Sequence, residues 1–258
     1  MAEVNEDVKL RRANRQKKIR RRRLIISLIF LLVMAFIVLA IMCLTIFFPV
    51  LNVEAKGSEI YTSGELIDAS GINEETNLFT VSEEQIEKTI KEKLPYVDTV
   101  TLKRELPDTV KLYVTDAVEY ACIQVDEEYF VISESGFVLN KYDEIPQNTF
   151  LVNIGIKKCD IGTQISYLDD RAAELSKRIA DLLSKSDIKI NSIDVSNNVS
   201  LTVRVCDRFD VKLGTEENLE KKILHLGGMI KSIGDRSGQI NLSMWSEAQS
   251  EGSFVPEK

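Results

Sequence analysis

Few residues in this chain have side chains reactive enough for catalysis. His225, in "KKILHLGG", is its only histidine. It falls on a helical pattern, which reads as a helix-surface or partly packed position rather than a general base. "SDIK" (Ser186 to Lys189) spells S-x-x-K, the nucleophile motif of serine-type cell-wall enzymes, and "SNN" (Ser196 to Asn198) imitates their second element. The third element is missing, since "KLG" (Lys212 to Gly214) stands where K-T-G would be needed. Ser186 also falls at a helix end, where serine and lysine suit the terminus without acting as a nucleophile.

No zincin, nucleophile-elbow or nucleotide-loop motif is present. The acid clusters "NEET" and "DEE" lack calcium-loop spacing and read as solvated turns. Cys122, Cys159 and Cys206 fit no zinc or redox spacing and read as buried free thiols; Cys43 lies in an apolar run. These residues therefore assign no catalytic, cofactor or metal site. A membrane-anchored serine-type cell-wall enzyme is the alternative reading.

The elements that would position these residues can be read from periodicity. After residue 48 the order is strand, helix, helix, strand, strand. "SGELIDASGI" is a short helix ending at Gly71. "SEEQIEKTIKEKL" repeats Ile86, Ile90 and Leu94 on one face and stops at Pro95. "VDTVTLKREL" and "DTVKLYVT" alternate around an "LPD" turn, a hairpin with Val100, Leu102, Val110 and Leu112 facing inward. A strand-rich section follows, interrupted by two helices, "RAAELSKRIADLLSKS" and a capped second, "TEENLEKKILHLGGMIKSI", with Thr215 and Asn218 near its start. "GQINLSMW" is read as the last strand and 246–258 as a loose, disordered tail. The fold class is α+β.

Residues 24–48 carry no charge, which is enough length to span a bilayer and too long for a cleaved signal. Ten of the 33 basic residues but only three of the 40 acidic ones precede Leu24, so the arm 1–23 carries +7 and the remainder −14. Positive charge stays inside. The expectation is a cytoplasmic arm, a transmembrane helix at 24–48 and an extracytoplasmic portion beyond it. The arm's role is at the headgroups, with no nucleic acid partner.

Several segments together resemble one family. "FPVLNVEAKGS", "ASGINEETNLFTV" and "LPYVDTVTLKRELPDTVKLYV" are similar to the membrane-proximal POTRA domain of the FtsQ/DivIB family of bacterial cell-division proteins. "YFVISESGFVL" resembles the hairpin ahead of the family's β domain, "FDVKLGTEENLEKKILHL" its strand with an L-G step and the helix that follows, and "GQINLSMW" its closing strand. Arg104 to Thr109 is the most specific piece. "TDAVEYA" departs from the family by keeping Asp116 but lacking a proline. The resemblance implies a POTRA domain at 49–118, a β domain at 119–245 and no catalysis. It also implies a scaffold at the division septum. The implied partners are other single-pass division proteins (FtsL-like and FtsB/DivIC-like) and, through them, the septal wall synthase.

Partner binding is expected on the last strand, at Ile240, Asn241, Leu242, Met244 and Trp245. Nothing in the sequence after this strand need cover its edge, and an uncovered edge invites a partner's strand. Tryptophan is enriched among residues that dominate interfaces.

Overall fold

The computed structural model describes residues 23, 25–42, 48–73, 75–245 and 252–257. The arm 1–22, the segment 43–47 and tail residues 246–251 lie outside the described residues. Helix α1 (Ile25–Met42) is long and apolar enough to cross a membrane by length and composition. Its 18 described residues rise ~27 Å at 1.5 Å each, close to a hydrocarbon core. None of the 18 is buried against the rest of the protein, so this apolar surface is left for another solvent.

The chain divides into two compact units. The first holds residues 1–54, 72–82 and 103–111. Here the chain after α1 is pinned by its own loop. Val50 N–H donates to Thr76 O at 2.8 Å, Leu78 N–H donates to Phe48 O at 2.9 Å, and the Phe48 and Phe79 rings meet edge to face. Arg104 clamps that loop from the hairpin tip, donating to Leu78 O and Val81 O at 2.9 and 2.5 Å.

The second unit holds residues 55–71, 83–102 and 112–258, so the first three strands are divided between the two units. Strands β1 (Asn52–Lys56), β2 (Val97–Glu105) and β3 (Thr109–Asp116) form a three-stranded sheet in the order β1-β3-β2. Val100, Leu102, Val110 and Leu112 are all buried, as the alternation requires. Helix α2 (Ser63–Ser70) starts with a capping box between Thr62 and Glu65 and stops at Gly71, whose left-handed φ of 70° suits a residue without Cβ. Helix α3 (Glu83–Lys93) buries Ile86 and Ile90.

Two carboxylates of α3 reach β2. Glu83 Oε2 accepts from Leu102 N–H at 2.7 Å and Glu87 Oε2 from Val100 N–H at 3.4 Å. At these two positions the edge amides of β2 already have acceptors, which disfavours adding another strand there.

The rest of this unit is a nine-stranded sheet. Its strands are β4 (Ala121–Val125), β5 (Glu128–Ile132), β6 (Val138–Tyr142), β7 (Phe150–Asn153), β10 (Ile190–Asp194), β11 (Leu201–Val205), β12 (Phe209–Gly214), β13 (Gly238–Asn241) and β14 (Ser253–Pro256). The order is β14-β13-β12-β11-β10-β7-β4-β5-β6. A small hairpin of β8 (Ile156–Lys158) and β9 (Ser166–Tyr167) stands apart. Helices α4 (Asp170–Lys185) and α5 (Leu219–Ile233) share one core with the sheet, where Ile179, Leu183, Leu219 and Leu226 meet Ile123, Ile193, Val203 and Val211.

Alternate strand residues face the other way. Cys122, Val131 and Leu139 form a smaller cluster with Ala117, against which Tyr96 and Tyr142 pack. Tyr96 and Tyr142 both donate to Glu119 Oε1, at 2.7 and 3.0 Å, and Lys91 lies 5.9 Å above the Phe137 ring. Burial first, then hydrogen bonds with the Tyr142 hydroxyl at 3.2 Å and with Glu119, pushes the Tyr96 hydroxyl well above its ordinary pKa. The turn after α3 is thereby tied to the start and edge of the large sheet.

The tail expectation needs correction. Ser253–Pro256 is a strand, antiparallel to β13, with Gln239 opposite Val255 and Ile240 opposite Phe254. The edge of β13 is therefore covered by the chain's own C-terminal segment.

Candidate functional site

The C-terminal face is built from β12, α5, β13 and β14. At Gly214 the chain turns with φ 73°, and a Cβ there would sit 2.8 Å from Ser243 Cα. Asn218 then holds the position before α5 in a left-handed conformation, with no side-chain cap hydrogen bond. It marks the start of the helix without capping it, contrary to the sequence reading.

Lys222 makes a tie to β12 instead. Its side chain is buried, and its Nζ donates to Leu213 O at 2.7 Å and Thr215 O at 3.0 Å. Burial pulls this ammonium below its ordinary pKa, against the opposing pull of the Glu217 charge. A buried charge is retained only where hydrogen bonds offset its desolvation. These two carbonyls do so, and they fix the first turn of α5 on the sheet.

Helix α5 buries Leu219, Ile223, Leu226 and Ile233 and turns Leu224 outward, 74% exposed. Beside it Lys221, Leu224, His225, Gly228, Met229, Ser232 and Trp245 line an open hollow of about 730 Å³. The His225 and Trp245 rings are 6.2 Å apart and tilted by 37°. Trp245 packs on the core, and its Nε1 is the one buried side-chain donor among the described residues without an acceptor.

The residues expected to bind partners separate into two sets. Ile240 and Leu242 are wholly buried core residues, so their side chains are not available to a partner. Burying each stabilises the domain by about 1.5–3 kcal/mol. Asn241 is exposed, and its Oδ1 accepts from Ser243 N–H and Oγ at 3.0 and 2.7 Å, closing the turn after β13. Met244 is 86% exposed, and Trp245 lies at the hollow. Leu224 was missed from the sequence, although its place off the Leu219-Ile223-Leu226 stripe was the signal for it.

The serine-enzyme motif does not assemble. Ser186, which caps the C-terminus of α4, donates its Oγ to Leu182 O at 2.9 Å, while Lys189 Nζ pairs with Asp207 at 2.8 Å. Ser196 Oγ donates to Asp194 at 2.6 Å. Each residue has its own local partner. Cys122, Cys159 and Cys206 are free thiols, and burial raises the first two, Cys159 to about 11. Among the described residues no group of three His, Cys, Asp or Glu is placed to hold a metal.

Comparison with known proteins gives this arrangement a family. Residues 48–116 match the POTRA domain, FtsQ-type, family. The chain is 30% identical over 208 residues to the cell division protein DivIB of Clostridium tetani (strain Massachusetts / E88), covering 76% of this chain and 77% of that one. It is 29% identical over 219 residues to DivIB of Clostridium acetobutylicum, covering 80% and 84%. To the cell division protein FtsQ of Geotalea daltonii it is 26% identical over 149 residues, covering 58% and 54%. Helix α1, the three-stranded α/β unit and the large sheet that follows it are thus the parts of a chain that belongs to the FtsQ/DivIB family.

Proposed function

We infer that this protein is a non-enzymatic scaffold of the division septum. It recruits or stabilises other single-pass division proteins (FtsL-like and FtsB/DivIC-like) and, through them, helps control septal peptidoglycan synthesis. The observation that carries this reading is the exposed apolar set on the C-terminal face, where Leu224 and Trp245 line one hollow and the neighbouring Met244 is 86% exposed. Exposed apolar surface of this kind, with a tryptophan in its lining, marks interfaces.

In this reading α1 anchors the chain with residues 1–23 in the cytoplasm and 49–258 outside. The domains are the arm, the membrane helix, a POTRA domain at 49–118 and a β domain from 119. The charge asymmetry of +7 against −14 supports that orientation. The separate engagement of Ser186 and Lys189 favours a scaffold over a serine enzyme.

Complementation of a strain depleted of the protein tests this reading. A Ser186→Ala chain should restore septation like the parent. If it fails while the protein is present and folded, the serine-enzyme reading is the better one.

A further inference from the structure

Helix α1 ends at Met42, and the chain is next described at Phe48, within the same unit. Only Cys43 to Phe47 lie between, and none of them is charged. A chain advances at most ~3.6 Å per residue, so Phe48 lies within about 22 Å of the end of α1 by any path. The headgroup layer adds about 5–8 Å on each side of the hydrocarbon core. The uncharged run continues through Phe48, so nothing in it favours leaving that layer. Whatever is fastened to Phe48 is held close to the lipid surface.

Two loops of the first unit are fastened there. On one side Pro49 bridges Asn77, Leu78 N–H donates to Phe48 O, and the Phe48 and Phe79 ring centres are 5.1 Å apart. On the other, Leu51 and Asn52 N–H both donate to Asp108 O, at 2.9 and 3.3 Å, which brings in the hairpin tip. Val50 and Leu78 are buried, while their neighbours Leu51 and Phe79 are 60% and 48% exposed. Leu106, at the tip, is 68% exposed. Three large apolar side chains thus surround the point where the chain leaves its membrane helix.

The backbone beneath them suits a poorly hydrated layer. Every N–H from Val50 to Asn52 and from Leu78 to Val81 has an acceptor inside this unit. Phe79 N–H donates to Asn77 Oδ1 at 2.9 Å, and Thr80 and Val81 N–H donate to Asn77 O at 3.1 and 3.2 Å. Amides left unpaired there would be costly. Beside the tip, Lys103 and Lys111 both reach Glu105, at 3.7 and 2.8 Å, and Asp108 Oδ1 accepts from Thr109 Oγ1 at 2.9 Å. The patch therefore offers lipid apolar contact rather than a net charge.

We propose that Leu51, Phe79 and Leu106 form a lipid-facing patch that seats the first unit on the leaflet from which α1 emerges. This rests on the reading of α1 as the membrane anchor. Phenylalanine and leucine side chains on an interfacial surface enter the boundary between headgroups and acyl chains. The seat fixes how the first unit stands on the membrane, which a five-residue tether alone would leave free.

The test uses the full chain in phosphatidylcholine vesicles, with Trp245→Phe removing its only tryptophan. One indole is then introduced by Phe79→Trp, Leu106→Trp, Leu32→Trp in α1, or Val199→Trp, a 70% exposed position in the second unit. Emission is compared with that in vesicles of lipid brominated on its acyl chains. Indoles at positions 79 and 106 should lose about half or more of their emission to bromine, as expected for side chains at the acyl boundary, and the indole at 199 should keep its own. Quenching at 79 and 106 no greater than at 199, with position 32 quenched, overturns the seat and leaves the anchor standing. An unquenched position 32 overturns the anchor reading and the seat with it. Adding Leu51→Asp and Leu106→Asp to the Phe79→Trp chain should weaken quenching at 79, with the circular-dichroism signal kept. Unchanged quenching would mean that the tether alone brings this loop to the lipid, and would also overturn the seat. So would a blue shift at 79 that grows with the protein-to-lipid ratio but ignores bromine, since a second copy of the chain would then be the cover.

Discussion

Lys222 Nζ lies 2.7 Å from the carbonyl oxygen of Leu213, inside the core of the second unit. That one hydrogen bond joins the helix carrying Leu224 and His225 to the strand beside β13. The exposed face is therefore set by a buried charge.

Lys222→Met keeps most of the stem and removes the donor. It leaves the Leu213 and Thr215 carbonyls without this partner, at an expected loss of about 1–3 kcal/mol. Thermal unfolding of the detergent-solubilised chain checks it. An unchanged midpoint would mean the two carbonyls find other donors at no cost.

Leu112 is 1% exposed, on the inner face of the hairpin. Leu112→Ala should destabilise by about 2–5 kcal/mol, through lost transfer energy plus the cavity left behind. Urea unfolding measures this, and a wild-type midpoint would contradict the packing.

Asp207 sits in the β11–β12 turn, where its carboxylate accepts from Lys189 Nζ at 2.8 Å and from Asn191. The Lys189 hydrogen bond first, then that of Asn191, holds its pKa below the usual carboxylate value. The native state therefore favours the charged form more than the unfolded state does. This contribution is complete above the ordinary aspartate pKa of about 3.9 and is lost as pH falls through the lower native value. Thermal midpoints measured on the acid side should fall less steeply for Asp207→Asn than for the parent. Parallel curves would show that the pair adds nothing in solution.

Protease added to intact protoplasts should digest the part beyond α1 and spare an epitope placed in residues 1–23. The reverse pattern would invert the proposed orientation.

The sequence made the period-two hairpin legible, because Val100, Leu102, Val110 and Leu112 all fall on one face and all are buried. Gly71 was readable as a helix stop because its conformation demands a residue without Cβ. β14 was not readable. "SFVP" is too short to show alternation, ends in proline and follows a polar run, and only its pairing with β13 makes it a strand. The candidate site was half legible for a related reason. Alternation shows which side chains of "GQINLSMW" share a face, but not whether the backbone edge beside them is open. Ile240 and Leu242 were thus grouped with Met244 and Trp245 although they belong to the core. Lys222 was hidden as well, since one of two adjacent lysines near the start of a helix reads as solvated until its burial is seen.

The central claim is that the C-terminal face around Leu224, Met244 and Trp245 holds the division partners. Its most direct test is quantitative recovery of FtsL-like and FtsB/DivIC-like proteins with Leu224→Asp and Trp245→Ala chains from dividing cells, alongside circular dichroism of the same chains. The account predicts native spectra and a fall in apparent affinity of about 30-fold or more for Trp245→Ala, the size expected when a central tryptophan worth ~2 kcal/mol is removed. Parental recovery in both folded variants would contradict it.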